Sequence, residues 1–150
     1  MSDFVVEVND FLVDTFRTIL KIEENVIKSV ENGDLSISEL HLIEAVGKKE
    51  KRTISEIASS LGITLPSVTI AINKLAKKGY VKKIRSDVDG RSVFVMLTEL
   101  GKKTNENHTH FHQKLVEALA DNFSEEEREN ILNMVKKLDV FFKNFLDNEC

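Results

Sequence analysis

Two short amphipathic segments meet at a glycine near the middle of this 150-residue chain, and that junction constrains the fold more than any other feature. Thr53-Ile54-Ser55-Glu56 has the form of a capping box. In such a box the hydroxyl and the carboxylate each satisfy a backbone N–H of the first turn. It opens a helix with Ile57, Ala58 and Leu61 inward, and Gly62 ends it. A second helix starts after Thr64 with Pro66 in its first turn, where a missing N–H costs nothing. Val68, Ala71, Ile72 and Leu75 face inward, and Gly79 stops it. Two short helices at a tight turn, the second with a polar and basic outer face, form a helix-turn-helix pattern.

The flanks fit the same plan. Residues 3–31 place Val8, Phe11, Leu12, Phe16, Ile19, Ile22 and Val26 at helical spacing over a wide arc. Ser36-Ile37-Ser38-Glu39 is another capping box, opening a helix with Leu40, Ile43 and Val46 inward that ends near Gly47. Residues 80–84 and 92–97 are β-prone, with Asp89-Gly90 as a turn between them. This predicts a hairpin with a charged tip. Thr98 caps a helix running to about residue 122, and Ser124 caps a last one running to about residue 145. The expected fold is mainly α with a small β-hairpin: a winged helix-turn-helix. One domain spans 1–150, with the winged region at 36–97 and helical dimerisation segments at 1–34 and 98–150.

Net charge is −4, which taken alone disfavours a polyanionic partner. Its distribution reverses that. Residues 48–91 carry eleven Lys or Arg against four Asp or Glu, a net of +7, so the remainder carries −11. A basic centre in an acidic chain is the footprint of a phosphate-binding surface. A helix fits the major groove and reads it with its N-terminal part. Thr64, Ser67, Thr69 and Asn73 are therefore the expected readers of double-stranded DNA, with Lys74, Lys77 and Lys78 toward phosphates. Arg91 at the hairpin tip is expected to reach the flanking minor groove, oriented by Asp87 and Asp89. Phe11, Phe16, Phe141, Phe142 and Phe145 need an apolar partner, most simply a second copy related by a two-fold axis. A palindromic site would match such a homodimer.

The segments Ile54–Lys83 and Arg85–Gly101 resemble the MarR family of bacterial transcriptional regulators, with similarity along essentially the whole chain. Asp87, Asp89 and Arg91 fall on the family's acidic and arginine wing positions, and Gly90 stands where many members have a second arginine. Residues 38–47 and 65–75 are more narrowly similar to the fatty-acid-biosynthesis repressors of that family. That resemblance implies a repressor whose corepressor is acyl carrier protein bearing a long acyl chain. The alternatives are a repressor released by a small aromatic or drug-like ligand, and an interaction module that has lost DNA binding.

Other chemistry is not expected. No nucleophile motif, phosphate loop or acid–base constellation marks an enzyme, and no cofactor is called for. His108 and His112 share a helix face but lack a full ligand set, so His108, His110 and His112 are read as packing or pocket residues and not as a metal site. His41 and Glu44, an i,i+3 pair, are candidates for effector coupling. The lone Cys150 forms no internal disulfide, and no signal peptide or membrane span is apparent, so the expected location is cytoplasmic.

Overall fold

The computed structural model describes residues 2–29, 33–87, 90 and 92–149, with Ser29 and Glu149 as backbone only. The element order is α1 (Asp3–Ser29), α2 (Ile37–Gly47), β1 (Arg52–Thr53), α3 (Ile54–Leu61), α4 (Leu65–Lys78), β2 (Val81–Arg85), β3 (Val93–Leu97), α5 (Glu99–Ala120) and α6 (Glu125–Glu149). The chain divides into two compact units, Met1–Glu106 and Asn107–Cys150.

Within the first unit the expected caps form. Ser36 and Thr53 each make both bonds of a capping box. Gly62 (φ 64°) and Gly79 (φ 85°) adopt the left-handed conformation that L side chains resist. Each ends its helix with a pair of backbone bonds. Gly62 N–H donates to Ser59 O and Ile63 N–H to Ala58 O, and Gly79 N–H donates to Ala76 O and Tyr80 N–H to Leu75 O. This six-to-one and five-to-two closure satisfies the orphan carbonyls of both helices. Between α3 and α4 the chain turns through 113°, an angle typical of helix-turn-helix units.

The sheet has the order β1-β3-β2 and is antiparallel throughout. Val81 pairs with Leu97 and Arg85 with Val93, so the β2–β3 hairpin is closed by the connection 86–92, with Ser86 N–H donating to Ser92 O at 2.9 Å. Strand β1 was not expected. It is two residues long, and a charged residue in so short a segment carries no period. Its place is set by β3, where Arg52 pairs with Val95 and Thr53 with Phe94. Arg52 is buried rather than part of an open basic face. Its guanidinium donates to Ala45 O at 2.6 Å and Glu56 O at 3.1 Å, tying the end of α2 to α3.

Ile43, Val46, Ile57, Val68, Ile72, Leu75 and Val95 are fully buried and form the core of this unit. They come from α2, α3, α4 and β3, so the side of α4 facing inward is fixed by three other elements. In the second unit the Ser124 capping box opens α6, and Arg128 Nε donates to Ala120 O at 2.8 Å. Most apolar residues of α6 remain exposed, among them Leu132, Val135, Leu138 and Phe142. Helix α6 runs on to Glu149, past the expected end near residue 145. Among the described residues, no single helix is long and apolar enough to cross a membrane.

The junction from the hairpin into α5 leaves no room for a side chain at Gly101. A Cβ there would lie 2.1 Å from the Tyr80 carbonyl oxygen. That oxygen accepts from the Thr98 N–H and hydroxyl, both at 3.1 Å. Gly101→Ala is therefore expected to destabilise the protein by about 2–3 kcal/mol. Urea unfolding followed by circular dichroism measures this, and an unchanged midpoint would mean that α5 can step away from Tyr80 at no cost.

Candidate nucleic-acid interface

With Val68, Ile72 and Leu75 committed to the core, helix geometry decides what α4 presents outward. At about 100° per residue, Pro66, Ile70, Asn73 and Lys77 lie nearest the opposite pole, flanked by Ser67 and Lys74. All six are exposed. Thr69 lies about 90° from the core direction and is half-buried.

The polar side chains here are engaged within the protein. Thr64 caps α4, and its Oγ1 lies 2.8 Å from Ser67 Oγ. Thr69 Oγ1 donates to Leu65 O at 2.9 Å. Asn73 Oδ1 accepts from Lys83 Nζ at 2.5 Å, linking α4 to β2. Lys77 is exposed, as are Lys82, Lys83 and Arg85 along β2. Lys83 and Arg85, on one face of the strand, extend the basic face beyond the helix, whereas Lys82 lies on the other face, and the net charge of 48–91 was their only signal in the sequence.

Glu39 of α2 organises the far end of α4. Its side chain is only 7% exposed, yet it accepts from Ser36 N–H at 2.8 Å and from Lys78 Nζ at 2.9 Å, and Lys74 Nζ lies 3.3 Å away. Lys78 Nζ also donates to Asp34 O, and the Tyr80 hydroxyl donates to Asp34 Oδ1 at 2.9 Å. Lys78 is thus held inside this network with 19% of its side chain exposed, whereas Lys74 keeps 63% open. Of the three expected phosphate contacts on α4, Lys77 and Lys74 stand open to a polyanion. Burial by itself would raise the Glu39 carboxyl. The Ser36 N–H and the two lysines outweigh it and hold the group at about 2, below the ordinary 4.5.

Asp89 and Arg91 lie outside the described residues. Asp87 is exposed in the connection after β2. His41 Nε2 lies 3.6 Å from Glu23 Oε1, so a carboxylate of α1 stands beside it, a contact that the i,i+3 pairing with Glu44 did not suggest. His108 and His112 face each other, Nε2 to Nε2 at 2.9 Å, while His110 is exposed. Phe11 and Phe16 on α1 are each 65% exposed, and on α6 Phe141 meets Phe142 edge-to-face at 5.4 Å and Phe145 at a tilt at 6.0 Å, all three also open. On the sheet, a cavity of about 350 Å³ is lined by Lys51, Ile84, Arg85, Phe94 and Met96 among others.

A 113° helix pair, an exposed basic face on its second helix and an adjoining antiparallel hairpin define a winged helix-turn-helix protein. The MarR-family model matches residues 33–92. The structure of Streptococcus pneumoniae FabT in complex with DNA is similar at TM-score 0.90 and 33% identity, covering 94% of this chain and 99% of that one. Two Bacillus subtilis HTH-type transcriptional regulators are also similar. YhjH is 29% identical over 65% of this chain and 59% of its own length, and YpoP 25% over 82% and 87%. The chain belongs to the MarR family of transcriptional regulators.

The Glu39 network carries a pH signature. A carboxyl whose folded pKa is depressed contributes stability fully above its unfolded pKa and loses it as pH falls through the folded value. For Glu39 that window runs from about 4.5 down to about 2. Glu39→Gln is expected to cost about 1–3 kcal/mol at pH 7, leaving Lys78 without its anion. The gap between wild type and variant should narrow through that window in thermal melts, and a gap independent of pH would assign the loss to packing.

Proposed function

We propose that the protein is a homodimeric repressor that binds palindromic double-stranded DNA, controls fatty-acid biosynthesis genes and takes acylated acyl carrier protein as corepressor. The observation that carries the DNA-binding reading is the exposed polar and basic face of α4, held rigid by a core that uses its other side. Such a helix enters the major groove. Ser67, Thr69 and Asn73 approach base edges, Thr64, Lys74 and Lys77 serve phosphates while Lys78 holds α4 to Glu39, and the wing residue Arg91, oriented by Asp87 and Asp89, takes the minor groove. A protein of this kind performs no chemistry on its ligand. It changes how tightly two reading helices hold the operator.

The dimer reading rests on unburied aromatic area. Phe4, Phe11 and Phe16 on α1, and Phe141, Phe142 and Phe145 on α6, stand open in the single chain, and exposed apolar patches of this kind mark protein interfaces. Phe142→Asp is expected to raise the monomer fraction in sedimentation and to weaken DNA binding with it, since a charge would enter an apolar contact. A variant that stays dimeric would place Phe142 outside the interface.

The lipid-linked reading is supported by the FabT similarity, at 33% identity along nearly the full length of both chains. His41, Glu44 and the apolar α1 are the proposed route from effector to reading head. A ligand alters affinity only if it binds one dimer geometry better than the other. Two heads must match grooves about 34 Å apart, so a small change in geometry suffices. Operator affinity is expected to rise with long-chain acylated carrier, less with short-chain carrier, and not with unacylated carrier, because each buried CH₂ contributes about 0.8 kcal/mol. Fluorescence anisotropy with a duplex selected from a random library measures all arms. Indifference to acylation rejects the corepressor, and failure to select any duplex rejects DNA binding. The cavity on the sheet favours a second reading, release by a small aromatic effector. That reading predicts weaker operator binding when such a compound is added in the same assay.

A further inference from the structure

We propose that Ile70 reads the C5 methyl group of a thymine in each half-site of the DNA. The inference rests on the DNA-binding reading above and adds a specificity element to it. Hydrogen-bonding capacity points to the polar groups as readers of bases, and an aliphatic residue stands on the same face of α4. Yet Ile70 is 70% exposed, the most exposed large apolar side chain of α4. It stands about 170° from the mean direction of Val68, Ile72 and Leu75, at the pole of the helix that faces away from the core. Among the described residues of the first unit, nothing covers that pole.

Its neighbours define what it meets. Ser67 and Asn73 lie three residues to either side, with Lys74 one turn on and Lys77 two turns on. An apolar group centred among polar and cationic ones does not suit a lipid or a protein core. It suits a surface that is polyanionic at its edges and offers an isolated apolar group between them. The major groove is such a surface, because thymine alone of the four bases presents a methyl group there. Ile70 is also β-branched, so its χ1 is nearly fixed in a helix and its methyl groups are presented at little entropic cost. The nearby hydroxyl and amide groups already hold partners within the protein, Ser67 with Thr64, Thr69 with Leu65 and Asn73 with Lys83. Ile70 has no bond to surrender on contact, so burying it against a methyl group is a direct gain in affinity.

The test separates this inference from the reading beneath it. A duplex is first selected from a random library with the wild-type protein, and the enriched half-site is expected to hold an invariant T·A pair. Deoxyuridine, which lacks the methyl, then replaces thymine one position at a time, and affinity is read by anisotropy. At one position in each half-site the wild type should weaken about fourfold, the equivalent of about 0.8 kcal/mol for a methyl-sized group. Ile70→Ala, at an exposed position, should melt like the wild type and bind the thymine and deoxyuridine duplexes equally. The inference is overturned if the wild type ignores deoxyuridine at every position, or if the thymine preference survives in Ile70→Ala. In either case the selected duplex still binds and the DNA-binding reading stands. If selection enriches no duplex at all, that reading fails, and the role of Ile70 with it.

Discussion

A single buried carboxylate sets the relation between α2 and the reading helix. Glu39 is almost closed to solvent, and two lysines of α4 converge on it while its own helix cap supplies a third partner. Removing two opposite charges from water is expensive, and the attraction offsets the cost only when the geometry is saturated with hydrogen bonds. Here it is saturated: Ser36, Lys74 and Lys78 all reach the carboxylate, and Lys78 continues to Asp34, which also takes the Tyr80 hydroxyl. The consequence is directional. A greasy contact alone would let α4 slide or roll by small amounts, whereas this network fixes its far end in rotation as well as distance.

The near end is fixed by different means. Gly62 turns the chain and Thr64 restarts it, while Arg52 stitches α2 to α3 from beneath. Between the two ends, the fully buried Val68, Ile72 and Leu75 hold the body of the helix. The outward face is therefore a product of the inward one. Pro66, Ile70, Asn73 and Lys77 are presented because no rotation of α4 could hide them without exposing its core residues.

Much of this was legible in the residues. Capping boxes at Ser36 and Thr53 and the stops at Gly62 and Gly79 are local chemistry, so helix limits in the first unit could be read from four-residue windows. The small strand at Arg52–Thr53 could not, because its pairing partner lies about forty residues away in β3 and two residues have no periodicity. The site divides along the same line. Which residues lie on α4 followed from spacing, but the partners that occupy their side chains did not. Lys78 and Lys74 look alike in sequence, and only the approach of Glu39 from another helix separates a clamped lysine from an open one. Ile70 was masked by its type, since an isoleucine in a helix is ordinarily taken as core. Its phase, two residues after one buried residue and two before another, was the available signal.

The link between Asn73 and Lys83 also bears on how the protein would travel along DNA. Asn73 Oδ1 is bonded to the wing strand and the hydroxyls of Thr64 and Ser67 to each other, so part of the polar outer face of α4 is engaged internally in the single chain. If this face reads bases as proposed, a mismatched sequence offers less in exchange for those bonds, and the contact reduces to lysines on phosphates, which tolerate sliding. On the proposed reading, the bases of a matching sequence would take over as partners of Ser67 and Asn73, and those internal bonds would be traded for intermolecular ones. Search and capture would then fall to different side chains, so the speed of one would not be bound to the tightness of the other.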